Sequence, residues 1–323
     1  MKQRSFESYH QQQWNTLEQW LNDLEKPGHV NDQKITQLPQ LYRQVCQHLA
    51  LARDRHYTPN LIDRLNRLVL RGHQQLYRTQ TRFFAKLVYF IMREFPQQVR
   101  QDFQLIALSS LFFFGALLIM FMSVQLNPNF VYSFIEVEQV RQLEEMYNPH
   151  AEHLGYNRES DSNFMMFGFY IRNNISIGFQ TFAGGILLGI GTLFYLIFNG
   201  LYLGCVASHL TNLSYIVPFY SFVAGHSSLE LIAIVLAGAA GLKLGFALIA
   251  PGRQRRSQAL RHAAIDSIRL VYGFTGMLLL AAFIEAFWSS NAAIAPQIKY
   301  LVGGLLWLSV ISYFILVGRH RAT

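Results

Sequence analysis

Residues 104–124 read QLIALSSLFFFGALLIMFMSV, an uninterrupted stretch without a charged side chain. At ~1.5 Å of rise per residue, a helix of this length crosses the ~30 Å hydrocarbon core of a bilayer. In lipid every backbone N–H and C=O must be paired within the protein, so a single apolar stretch of this kind is a helix. The sequence around it predicts an all-α, polytopic helical membrane protein with about six transmembrane helices and an N-terminal cytoplasmic helical bundle. The expected spans are 104–124, 177–198, 200–221, 224–250, 270–288 and 299–317, with an extracytoplasmic loop over 125–176. Residues 1–100 form the cytoplasmic domain and 101–323 the transmembrane domain.

Composition points the same way. Charged residues are only 14% of the 323 and hydrophobic ones 51%, against about 25% charged in soluble domains. The net charge of +8 is nonetheless not spread evenly. Residues 1–103 hold 15 Lys/Arg against 9 Asp/Glu, 125–176 hold 3 against 7, and 253–269 hold 5 arginines against Asp266. Basic blocks alternating with apolar segments fit membrane orientation; nucleic-acid binding would call for a continuous basic face. The stretch 200–221 contains His209, Asn212 and Pro218, yet it has to cross for Arg253, Arg255, Arg256 and Arg261 to lie on the same side as residues 1–103. The expectation is therefore a multi-pass protein of the bacterial cytoplasmic (inner) membrane with both termini cytoplasmic. The polar, amphipathic first hundred residues show no apolar core of a secretory signal and are expected to stay in the cytoplasm. Cys46 and Cys205 lie in unlike contexts and suggest neither a disulfide nor a zinc site.

The polar N-terminal part shows three amphipathic helices. Trp14, Leu17, Leu21 and Leu24 mark the first, Leu38, Leu41, Val45, Leu49 and Ala52 the second, and Leu61, Leu65, Leu68 and Leu76 the third. Lys26-Pro27-Gly28 and Pro59 punctuate them. The third runs into Arg82–Glu94, too short to span, and 82–95 is expected to lie at the membrane interface; the alternative is a buried face of the bundle. In the loop, Val137, Val140, Leu143 and Tyr147 among four glutamates suggest a short acidic helix.

Glycines four apart recur: Gly185 and Gly189, Gly200 and Gly204, Gly241 and Gly245. Small residues at this spacing let membrane helices approach closely. Packing within one chain is the leading reading; a subunit interface, and with it a homo-oligomer, is the alternative. Asn199-Gly200 is expected to cap a helix end, as is Asn173-Asn174.

Glu230 stands apart, because an ionisable group in a span marks a functional site by default. It is expected one turn inside the outer end of its span, with His226 on the same helical face. The leading reading is a structural anchor in which Glu230 bonds His226, His209 or Asn174; a proton or ion relay would use the same residues. Lys243 is expected to reach the cytoplasmic interface, and Glu285 to sit near water. No hydrolase elbow, phosphate loop or zinc motif is present, so no catalytic residue, metal, cofactor or enzymatic activity is expected.

The stretches FGFYIRNN (167–174), TFAGGILLGIGTLFYLIFNGLYLG (181–204) and GHSSLELIAIVLAGAAGLKLG (225–245) together resemble the stage II sporulation protein M family. YRQVCQHLALARDRHYTP (42–59) and LNRLVLRGHQQLYR (65–78) are similar to its long members from non-sporulating bacteria. The resemblance implies a non-enzymatic membrane scaffold or assembly factor for cell-envelope proteins. Its partners would be the lipid bilayer and other envelope proteins, including a MoxR-type ATPase system. A transporter or channel using Glu230 and His226 is the alternative.

Overall fold

The computed structural model describes residues 2–25, 32–149, 163–291 and 293–319, with side chains save those of 32–36, 77–82 and 163. Among these residues there is no strand, and the chain divides into two compact units, 1–89 and 90–323. Residues 150–162 of the expected loop lie outside the described residues, as does Arg321.

In the first unit, α1 (Gln3–Glu25), α2 (Asp32–Asp54) and α3 (Pro59–Tyr89) share one core. The apolar stripes of the sequence meet there: Trp14, Leu17 and Leu21 of α1, Leu38, Val45, Leu49 and Ala52 of α2, Leu61, Leu65 and Leu68 of α3. Arg64 and Arg71 of α3 pair with Glu18 and Glu25 of α1 at the rim, exposed contacts worth about 0–1 kcal/mol each. At the centre, Trp14 Nε1 donates to His48 Nδ1 at 3.2 Å, so His48 accepts with that nitrogen and is neutral. Burial, reinforced by nearby His10, pushes the His48 imidazole down to about 4.

The segment expected at the interface, 82–95, is not one element. α3 continues to Tyr89, exposing Phe83, Phe84, Leu87, Val88 and Tyr89. A π-helical turn follows at Phe90–Glu94, then α4 (Phe95–Gln101), whose Phe95 and Val99 are buried in the core of the second unit. Phe95 lies on Gly273 so closely that a methyl group there would overlap its ring.

The second unit then comprises α5 (Phe103–Leu126), α6 (Val131–Phe134), α7 (Val137–Met146), α8 (Asn163–Ala183), α9 (Ile190–Asn212), α10 (Ile216–Ala224), α11 (Ser227–Ile249), α12 (Arg256–Ile284) and α13 (Pro296–Leu316). Five helices are long and apolar enough to cross a membrane: α5, α9, α11, α12 with the π-helical turn that extends it to Ser289, and α13. With α8, 21 residues long, they make six long helices, in keeping with about six spans.

Helix boundaries differ from the sequence expectation at several places: α12 begins at Arg256 and not near 270, α10 and α11 divide the chain around 225, and the largest change lies earlier. The spans expected at 177–198 and 200–221 are replaced by α8, which begins at Asn163, and α9, with the turn at 184–189. The chain reverses there through a 3₁₀ turn at Gly184–Ile186, then Leu188 and Gly189 at φ 55° and 81°. Only a glycine adopts the second without strain. Gly184 and Gly191 touch across the turn, and Thr192 Oγ1 donates to the Thr181 carbonyl at 2.8 Å. Hydropathy hides this turn because Ile186, Leu187, Leu188 and Ile190 are apolar. Asn199, expected as a cap, lies inside α9, its amide donating to the Tyr195 carbonyl one turn back at 2.7 Å.

The paired glycines pack within the chain. Gly200 and Gly204 lie on the Phe113 and Leu117 carbonyls of α5. Further along, Ser208 Oγ donates to Phe121 O at 2.8 Å and Asn212 Nδ2 to Val124 O at 3.3 Å. Numbers rise together on both helices, so α5 and α9 run parallel. Gly185 sits on Gly241 and Gly245 on Gly189, which presses the α8–α9 hairpin against α11.

Two outcomes are expected. Gly204→Val should lower the thermal midpoint of the detergent-solubilised protein by an overpacking penalty of about 1–3 kcal/mol. Gly115→Ala, where nothing lies within 4 Å of the added carbon, should be neutral or stabilising, and equal midpoints would contradict the packing described. For His48 the folded value is depressed below the unfolded one, so the unfolded state binds more protons as pH falls. Stability of the α1–α3 bundle should therefore drop from pH ~6.5 down to ~4 and level off below. Amide exchange of the full chain, corrected for intrinsic rates, should show this, and His48→Gln should flatten it.

Candidate functional site

The site is built by a break in a helix. Gly303 of α13 packs directly on the Ala224 carbonyl of α10, seven residues or ~10 Å in from the α13 N-terminus. Trp307 Nε1 donates to Ser227 Oγ at 3.1 Å, and Tyr300 OH to Val217 O at 3.5 Å. Thus α10 runs alongside α13 in the same direction, and α11 begins part-way down that helix. Glu230, in the first turn of α11, lies deeper than one turn below the outer end of the span, where the sequence placed it. The break falls at Gly225-His226, with Gly225 closely covered by the Trp288 ring.

Three ligand-type side chains converge below the break. Atoms of His226, Glu230 and Glu285 lie within 4.8 Å of one another, and His226 Nε2 is 3.7 Å from Glu230 Oε2. His226 Nδ1 lies 3.1 Å from Ser289 Oγ. Asn174, buried inside α8 rather than capping it, donates to Glu285 Oε2 at 3.5 Å. Glu285 and Ser289 are the two ends of the π-helical turn after α12. Such turns carry an extra residue and recur at functional sites; this one aims both ends at α11. The charges are not balanced. Glu230 gains from the positive N-terminal end of α11, but Glu285 sits at the end of α12, where carbonyl groups add negative potential. Lys299 Nζ is spent on the Ser289 carbonyl at 2.7 Å.

The cluster opens on a cavity of about 600 Å³ between α7, α8, α9, α10 and α11. His226, Glu230, Glu285, Asn173, Asn174 and Asn199 supply polar lining, amid Tyr147, Tyr170, Tyr195 and Tyr202. Among the described residues that line it there is no lysine or arginine.

Of the residues that the sequence groups with Glu230, His209 lies elsewhere, and Lys243 has a partner that the sequence did not name. His209 does not approach Glu230; its Nε2 is 2.8 Å from Glu144 Oε1 of α7, and this pair ties the acidic loop helix to the end of α9. Lys243 does not simply extend to the interface. It forms an ion pair with Asp102 just before α5, at 3.0 and 3.1 Å from the two carboxylate oxygens, while Gln98 bonds the same carboxylate. Glu285, expected near water, is instead buried in the cluster. The signal was available: the two carboxylates stand at the start of one span and the end of the next, so a hairpin of α11 and α12 brings them to one level.

The family model described as Stage II sporulation protein M matches residues 109–290, more than half of the chain and every residue of the cluster. A second, Domain of unknown function (DUF8413), matches residues 4–78, most of the three-helix unit. No curated protein matches the chain, and no solved structure does. The chain belongs to the stage II sporulation protein M family.

Proposed function

We propose that the second unit takes up a small cationic solute from one side of the bilayer and passes it through the chamber at Glu230, as a transporter or channel. The observation that supports this most is the chamber itself: about 600 Å³, bounded by a discontinuous helix and lined by two carboxylates beside His226 with, among the described residues, no lysine or arginine to neutralise them. Discontinuous membrane helices are tolerated where they border a polar cavity, and transporters use them to present binding groups near the midplane. A carboxylate kept only as a structural anchor would be enclosed by partners instead. The charge blocks support the bacterial cytoplasmic membrane with cytoplasmic termini. The parallel run of α5 and α9 supports a crossing by α8 between them. Reconstituted protein should pass a cation among H⁺, Na⁺, K⁺ and Mn²⁺. Glu230→Gln and Glu285→Gln should cut that flux by at least about 10-fold, the factor that follows from ~1.4 kcal/mol of lost binding, while eluting as folded protein. Flux that is absent in the wild type, or undiminished in folded variants, would sink the reading.

A non-enzymatic scaffold for envelope proteins, including a MoxR-type ATPase system, is the second reading. It rests on the separately cored three-helix unit, whose α1 and α2 border a glutamine-lined cleft of about 580 Å³ at Gln12, Gln13, Gln40 and Gln44. Pull-down from mildly solubilised native membranes should recover a defined partner that residue changes at Gln13 and Gln44 release. In right-side-out vesicles added protease should spare α1–α3. Recovery of the bare protein, or cleavage from outside, would count against this arrangement.

A further inference from the structure

Sequence spacing offers two ligand-type groups on one helical face, His226 and Glu230, and no third; on that ground no metal is expected. The fold supplies the third from 55 residues further on, through the π-helical turn that carries Glu285. Around a divalent cation with bonds of about 2.0–2.2 Å, neighbouring ligand atoms lie roughly 3–4.4 Å apart. The His226–Glu230 separation of 3.7 Å already falls in that range, and the ligand atoms of all three residues lie within 4.8 Å of one another, close to its upper end.

The layer behind the ligands fits as well. A histidine bound to metal through one ring nitrogen usually donates the other N–H to a fixed acceptor. His226 Nδ1 has Ser289 Oγ at 3.1 Å, which leaves Nε2 facing the carboxylates. Asn174 holds Glu285 in the same way from α8. His226 and Glu285 are both at least nine-tenths buried, and two like charges withdrawn from water repel strongly unless a positive charge lies between them.

We propose that His226, Glu230 and Glu285 hold one divalent cation of the zinc or manganese kind inside the second unit. Two carboxylates cancel its charge in a low-dielectric surround. One imidazole with carboxylates suits such ions; magnesium would demand an octahedral shell of oxygens and water. The cavity supplies room for water to complete the coordination. The site rests on the chamber of the proposed function, and not on anything moving through it.

The test uses the full chain in nanodiscs, stripped with chelator and titrated with Co²⁺, whose visible bands report its ligands, and then with Zn²⁺ as competitor. The expected result is one Co²⁺ per chain, displaced by Zn²⁺. Glu230→Gln, Glu285→Gln and His226→Gln should each weaken binding by about 100-fold or more, since even loss of a supporting group behind a ligand costs 10–100-fold. Glu144→Gln, which strips the carboxylate from His209, should leave binding unchanged. No binding by the wild type, undiminished binding by the three variants, or equal loss in Glu144→Gln would overturn the site. If a variant aggregates, X-ray absorption of the Co²⁺-loaded wild type decides. One nitrogen with carboxylate oxygens supports the site, and a sulfur or all-oxygen shell overturns it. Metal bound without any flux would remove the transport reading and leave the site standing; flux without bound metal would do the reverse.

Discussion

The contact on which the second unit depends is backbone on backbone: Gly185 against Gly241, and Gly189 against Gly245. Lipid tails are as apolar as leucine, so helices in a bilayer gain little by hiding apolar side chains from their surroundings. They gain by approaching closely, and only glycine permits this approach. Because these four residues fix α11 against the α8–α9 hairpin, they also fix the height of every other residue on α11. Glu230 lies eleven residues before Gly241, or ~16 Å along the helix, and Lys243 two residues beyond it. One charge is thereby set at the level of Asp102, the other at the level of Asn174 and Glu285.

The two charged sites of α11 are solved differently. Lys243 meets a carboxylate directly, close to the end of the helix, with Gln98 completing the network. Glu230 meets another acid. A protein that wanted merely to neutralise Glu230 had a lysine four residues into the neighbouring span, at Lys299, and directs it to a backbone carbonyl instead. That contrast within one unit is the physical ground for treating the Glu230 cluster as a place for a cation and the Lys243 pair as a fastening.

Much of the fold was legible because it rests on composition and period. The stripes of Trp14, Leu17 and Leu21, of Leu38, Val45 and Leu49, and of Leu61, Leu65 and Leu68 name the core of the first unit, and Gln104–Val124 names a span. What was hidden was hidden for definite reasons. The turn at Gly184–Gly189 is made of residues that score as apolar, and its signal, two positive φ angles, is conformational. Asn199 looked like punctuation because an asparagine before a glycine usually is. His226 and Glu230 were legible from spacing. His209 was grouped with them as a polar residue of a neighbouring span, although its partner Glu144 belongs to a loop helix that the sequence does not place in space. Asn174 joins the cluster from the helix interior, through the early start of α8.

Helix α12 with its π-helical turn has one more consequence, which concerns phase. The π-helical turn at Glu285–Ser289 holds one residue more than an α-helical turn, so its side chains fall out of step with the faces kept by Arg256–Ile284. Arg256 to Ile284 can keep one set of faces toward α11 and α8 while the end of the helix turns a different set inward. The helix therefore presents two sets of faces to its neighbours, and the insertion that makes this possible is the same short segment that carries Glu285 and Ser289.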